Sequence, residues 1–180
     1  SPDGKRLSYM EDGLMTVALD SDGVEAKPGK PEPFLKTEFV ENDGKFSPDG
    51  RWMAYASNES GSFEVYVRRF PDTGVKWIIS NGGGQRPVWS RKGRELYFLG
   101  ADNRLMVASY SVKAESFSPD TPRVWSEARI VERWIVSIYD LAPDGTRFAV
   151  VVPTGDDEQR PNVTFLFHFF DELKRRVPVK

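Results

Sequence analysis

The chain has 180 residues, 25 basic and 27 acidic side chains for a net charge of −2, 39% apolar residues, 13% aromatics and no cysteine. That supplies one globular domain with a substantial core and is too short for two with a linker. The balance argues against nucleic acid, since only Lys174, Arg175 and Arg176 form a basic cluster; no apolar run approaches 18 residues, which argues against direct membrane insertion, and the missing thiols remove disulfides and cysteine-ligated metals.

In chain order the strand signals fall into four units. SPDG at 1–4 is followed by RLSYM at 6–10, LMTVAL at 14–19 and PFLK at 33–36. GKF at 44–46 leads into a second SPDG at 47–50, then RWMAYAS, FEVYVRRF at 63–70 and KWIIS at 76–80. RPVW at 86–89 leads into a degenerate SRKG at 90–93, then RELYFLG, LMVASY at 105–110 and RVW at 123–125. IYDL at 138–141 leads into APDG at 142–145, then RFAVVV and NVTFLFHFF at 162–170, before a tail at 171–180 that reads as a short helix or extension. In FEVYVRRF, Phe63, Val65 and Val67 alternate with Glu64, Tyr66 and Arg68, the pattern of a half-exposed strand.

The tetrapeptides start at Ser1, Ser47, Ser90 and Ala142, at intervals of 46, 43 and 52 residues. A period of about 45 is that of a four-stranded propeller blade. Each tetrapeptide reads as a hairpin corner: proline presets the first corner, aspartate bonds the local backbone and glycine supplies a left-handed closing residue. The structural turn residues are therefore Pro2, Asp3, Gly4, Pro48, Asp49, Gly50, Gly93, Pro143, Asp144 and Gly145.

The first and third units align further. Leu14, Met15, Pro31 and Phe34 map onto Leu105, Met106, Pro122 and Trp125 at a constant offset of 91. SFSPDTPR at 116–123 falls opposite residues 25–32 and reads as a connection between strands. The expected architecture is all-β, a partial propeller of about four blades over 1–43, 44–85, 86–137 and 138–170, with some 14 strands in groups of three, four, four and three. The first unit lacks a strand before its turn. Open edges of this kind invite self-association.

FSPDGRWMAYAS with FEVYVRRFP, RPVWSRKGRELYF and YDLAPDGTRFAVVV resemble the TolB-type propeller repeat, a relative of the WD-repeat propellers, over nearly the whole chain. The last two units and the closing FFDELKRRVPVK are similar to the C-terminal propellers of bacterial serine/threonine protein kinases. The resemblance implies a non-catalytic module for protein interaction or ligand sensing, the C-terminal part of a larger bacterial, extracytoplasmic protein. Its alternative is an accessory propeller of a peptidase or other enzyme whose catalytic domain lies outside the chain. No cofactor is implied, and no kinase motif occurs in these residues.

Other candidate sites read as architecture. His168, the single histidine, sits among aromatics; Asp20, Asp22 and Gly23 lack the remaining spacing of a calcium loop. Gly82, Gly83 and Gly84 lack the Lys-Ser/Thr pair of a phosphate cradle and read as the connection between two blades. The Asn58 and Asn162 sequons read as coincidental. Trp52, Trp77, Trp89 and Trp125 fall on strands and read as core, whereas Trp134 does not. Such connections line one face of a propeller, which makes Asn81, Gln85 and Arg86 one candidate binding surface. Arg129, Glu132, Arg133 and Trp134 make another.

Overall fold

The computed structural model describes residues 1–21, 26–130, 139–142, 144–145 and 147–150. Among these every regular element is a strand. β1 (Arg6–Met10), β2 (Leu14–Ser21) and β3 (Ala26–Leu35) form a three-stranded antiparallel sheet, and β4 (Glu41–Phe46), β5 (Trp52–Ser57), β6 (Glu64–Arg69) and β7 (Lys76–Ile78) a four-stranded one. A third sheet holds β8 (Gly84–Trp89), β9 (Glu95–Gly100), β10 (Arg104–Lys113), β11 (Ser116–Pro119) and β12 (Arg123–Arg129). β13 (Tyr139–Leu141) pairs with β14 (Phe148–Val150). The fold is all-β, built from several small antiparallel sheets that meander in chain order. Residues 22, 23, 131–138, 143 and 151–180, which hold Glu132, Arg133, Trp134, Pro143, His168, the Asn162 sequon and the expected tail, lie outside the described residues.

Pairing registers repeat between sheets. Glu41, Asn42, Lys45 and Phe46 on β4 oppose Ser57, Ala56, Ala54 and Met53; Gly84, Gln85, Val88 and Trp89 on β8 oppose Gly100, Leu99, Tyr97 and Leu96. Every pair moves by 43, and both strands carry a bulge at the same place, where Asp43 and Arg86 adopt φ of 56° and 55°. A bulge adds residues on one strand and bends it, so that the residues beyond it point in a new direction.

The offset of 91 also governs the outer strands. Leu14↔Leu35, Met15↔Pro33 and Thr16↔Glu32 become Leu105↔Ser126, Met106↔Val124 and Val107↔Arg123. Leu19↔Pro28 and Asp20↔Lys27 become Tyr110↔Pro119 and Ser111↔Ser118. SFSPDTPR is thus not a plain connection: its first half is β11, and its counterpart is the first part of β3. The physical reason is length. β2 and β10 have 8 and 10 residues, so they overrun the strands on their inner side, and their overhanging backbone groups need a partner. β3 covers that track in one run, while β11 and β12 divide it on either side of Pro122. On β3, Pro28, Pro31 and Pro33 sit where an outer edge tolerates missing N–H groups, and there they blunt it.

The sheets stack face to face. Leu14 and Phe34 of the first pack with Met53, Tyr55 and Tyr66 of the second. Trp52, Val65, Val67 and Ile79 of the second pack with Trp89, Leu96, Phe98, Ala108 and Phe117 of the third. Tyr97, Leu99, Leu105 and Val107 then meet Ile130, Tyr139 and Leu141. A middle sheet has no solvent face, which corrects the half-exposed reading of β6. Glu64 and Tyr66 are 6% and 4% exposed, against 0% for Val65 and Val67.

Phe117 on β11 is 1% exposed and lies 5.3, 6.0, 6.1 and 4.7 Å from the rings of Trp52, Trp77, Trp89 and Tyr110. Trp52 and Trp89 are core and Trp77 is half-buried. Trp125 is 38% exposed, with one edge against Tyr97 and Phe148, so only part of it is sequestered.

Candidate recognition cleft at the turn end

The tetrapeptides are small bonded units. In the second copy the Gly50 N–H donates to the Ser47 carbonyl at 2.9 Å, and the Ser47 N–H to the Trp52 carbonyl at 2.8 Å. The Ser47 hydroxyl donates to Asp49 at 2.6 Å and accepts from the Trp52 N–H at 3.0 Å; the Arg51 N–H donates to Asp49 at 3.1 Å. Ser1, Asp3, Lys5 and Arg6 repeat these contacts. The Ser1 hydroxyl and Lys5 amide hold the Asp3 carboxyl below its usual range. Burial pushes Asp49 up, but the Ser47 hydroxyl and the Arg51 amide and guanidinium outweigh it and leave that carboxyl lowered as well.

Gly4, Gly50 and Gly145 adopt φ of 70°, 71° and 71°, the left-handed region that side chains resist. SRKG differs. Gly93 is not left-handed and donates instead to the Ser90 hydroxyl at 3.0 Å, which corrects the expectation that it closes its turn as its counterparts do. In APDG the alanine offers no hydroxyl, and Asp144 takes the Arg147 guanidinium at 2.7 and 2.9 Å.

These turns border a cleft of about 910 Å³. Its walls come from β1, β4, β8 and β13, with Leu7, Phe46, Val88, Trp89 and Leu141 as apolar lining and Lys45, Arg91 and Asp140 as charged lining. Among the described residues, three hydrogen bonds tie these strands across sheet boundaries. The Ser8 hydroxyl donates to the Gly44 carbonyl at 2.9 Å, the Trp89 indole N–H donates to the Lys45 carbonyl at 2.9 Å, and the Tyr139 hydroxyl donates to the Arg86 carbonyl. Two of the acceptors, Gly44 and Arg86, belong to the repeated bulges, which turn backbone carbonyls out of the ladder towards the neighbouring sheet; Lys45 directly follows the first bulge. Burial pushes the Tyr139 hydroxyl far above the usual phenol range, so it stays a donor at any ordinary pH.

The surfaces picked out from the sequence lie elsewhere. Asn81 is exposed in the loop between β7 and β8, and Gln85 and Arg86 are half-buried at the start of β8. The glycine run is occupied from within: Glu64 accepts from the Gly82 and Gly83 N–H groups at 3.0 and 2.8 Å and from the Ser80 hydroxyl, which in turn accepts from the Val65 N–H at 2.7 Å. A Cβ on Gly83 would stand 2.6 Å from Ala101 in the β9–β10 turn, so this loop packs on that turn. Arg129 is exposed at the end of β12, beside Ile130, whose N–H donates to the Asn103 carbonyl at 2.8 Å.

Asn81 and Arg129 therefore share one end of the third sheet, and the cleft opens at the other. Sequence reading missed the cleft because it weighed loops. The available signal was the short apolar run before each turn, GKF, RPVW and IYDL, which supplies the walls.

No family model matches the chain, and no curated protein matches it. Among solved structures, the chain is similar to one from Agrobacterium tumefaciens that carries the TolB name, with 20% identity and a TM-score of 0.45, over 69% of this chain and 48% of that one. The chain thus spans about half the length of that structure.

Proposed function

We propose that the chain is a stretch of about four blades of a TolB-like propeller that acts as a recognition or sensing module, receives its partner in the turn-end cleft, and leaves any catalysis to other parts of a larger bacterial protein. The blade reading draws support from the pairing register that recurs at offsets of 43 and 91 and from the face-to-face order of the sheets. The observation that carries the recognition reading is the cleft itself, lined by apolar and polar or charged side chains together and walled by strands of successive sheets. Concave sites of several hundred cubic ångströms with that mixture are the usual form of a binding site.

The test is to pan a random heptapeptide phage library on the chain and on its Arg91→Glu and Lys45→Glu variants. Arg91 and Lys45 are exposed, so neither change disturbs the core. A consensus enriched on the parent chain and lost on the variants supports the cleft. Enrichment that ignores both changes, or none at all, refutes it.

A further inference from the structure

We infer that Asn81 and Gly82 form a self-modifying site, at which Asn81 loses ammonia through a cyclic imide and becomes aspartate or isoaspartate, and that Glu64 sets the rate by holding the Gly82 N–H. Asn81 is exposed and is followed by glycine, whereas Asn42, Asn58, Asn103 and Asn162 are followed by Asp, Glu, Arg and Val. The reaction needs the backbone nitrogen after the asparagine to reach the side-chain amide carbon, and a glycine there offers no Cβ to obstruct the approach. Gly82 adopts φ of 86°, and a Cβ built on it meets nothing within 4 Å, so the space beside that nitrogen is open.

Water is the sole outside reagent. The Gly82 nitrogen gives up its proton and bonds to Cγ of Asn81, the side-chain nitrogen takes a proton and leaves as ammonia, and a succinimide ring closes. Water then opens either carbonyl–nitrogen bond of the ring, with no change of oxidation state. One product is aspartate; the other is isoaspartate, whose main chain runs through the side-chain methylene.

The reacting nitrogen is also the one that the fold restrains. Its N–H donates at 3.0 Å to Oε1 of Glu64, and the Gly83 N–H donates to the same oxygen at 2.8 Å. Glu64 is 6% exposed and also accepts from the Ser80 hydroxyl, so the Gly82 N–H is drawn inward to a carboxylate while Asn81 stands in water. That bond opposes the reaction twice. It has to open before the nitrogen can turn to Cγ, and a carboxylate beside the nitrogen disfavours the negative charge that grows there as the proton leaves. The product then works against the restraint, because it adds a carboxylate next to Glu64. Isoaspartate also lengthens the main chain in a connection that is packed at Gly83, where a Cβ would stand 2.6 Å from Ala101. The change is one-way and loosens the joint between β7 and β8.

The test ages the 180-residue chain at mildly alkaline pH and follows each asparagine by peptide mass mapping, with isoaspartate detected by enzymatic carboxyl methylation. Conversion is expected at Asn81 ahead of Asn42, Asn58 and Asn103, with both products formed. Amide exchange at Gly83 and Val65 is expected to quicken in the aged parent chain and not in aged Asn81→Gln. Glu64→Ala is expected to speed conversion about tenfold, as for loss of one hydrogen bond to a charged acceptor, and Glu64→Gln, which keeps an acceptor without the charge, to fall between. Gly50→Ala costs a similar amount of stability to Glu64→Gln but lies at the opposite end of the second sheet, and is expected to leave the Asn81 rate unchanged. Conversion at Asn81 no faster than at the other asparagines, in the parent and both Glu64 variants, overturns the site. Equal acceleration in Glu64→Gln and Gly50→Ala gives the rate to general unfolding, and an unchanged or slower rate in both Glu64 variants removes the restraint; either overturns the role of Glu64.

Discussion

Glu64 offers the sharpest test of how the sheets are joined. Its side chain, on a residue 6% exposed, accepts two glycine N–H groups and the Ser80 hydroxyl, and so fixes the β7–β8 connection to the start of β6. Hydrogen bonds to a charged group are worth roughly 1.5–3 kcal/mol each, which would suggest well over 4 kcal/mol for three. Two effects reduce that sum. Gly82 is exposed and Gly83 half-buried, so their N–H groups regain water when the carboxylate goes, and removing a buried carboxylate also removes its desolvation cost. We expect Glu64→Ala to cost about 3 kcal/mol, or roughly 6–12 °C in Tm for a chain of this size. Glu64→Gln keeps one acceptor for the glycines but leaves the Ser80 proton without its partner, for about 1–2 kcal/mol. Urea denaturation with an exposed control, Glu38→Ala, measures all three, and amide exchange at Gly82, Gly83 and Val65 localises the change. A Glu64→Ala variant within about 0.5 kcal/mol of the control would refute the view that this contact holds the connection.

Three further outcomes rest on the same geometry. Gly50→Ala, at a φ of 71° with only the Pro2 ring near, at 3.8 Å, should lose about 1–2 kcal/mol in thermal unfolding, whereas Gly93→Ala should be neutral within about 0.5 kcal/mol; equal losses would show that the turns do not differ. Phe117→Ala should lose about 3–5 kcal/mol and redshift tryptophan emission, because it opens a cavity between Trp52, Trp77 and Trp89; a loss below about 1 kcal/mol would mean that β11 is peripheral. Asp49 has a folded pKa below its unfolded value, so its contribution is present above the unfolded value near 4 and disappears as pH falls through the folded one; Asp49→Asn should flatten the decline of stability between about pH 5 and 2, and an unchanged slope would rule that contribution out.

Local order in this chain is written where local chemistry is decisive. SPDG fixes its corner with groups inside five residues, and the alternating apolar runs beside it have a single use, so strand positions were legible. The identities of the faces were not. Val65 and Tyr66 lie in one pattern, yet both are buried, because a sheet between two others has no exposed side; only the stacking order decides that. β11 was missed for a similar reason. Its four residues carry two prolines' worth of loop signal nearby, and its pairing is demanded by the length of β10 rather than by anything in its own letters.

The cleft is hidden from the sequence by the same limit. Its walls are strands that read as ordinary hairpin partners, and what makes them a site is a bulge three to four residues before the second and third turns. That bulge places a non-glycine residue at positive φ, at Asp43 and Arg86, a conformation that costs about 1 kcal/mol or more for a side chain. The cost is offset across the sheet boundary, where the bulge carbonyls of Gly44 and Arg86 meet Ser8 and Tyr139. The strain therefore belongs to assembly: it aims backbone acceptors at the next sheet and draws the leading strands together around one opening.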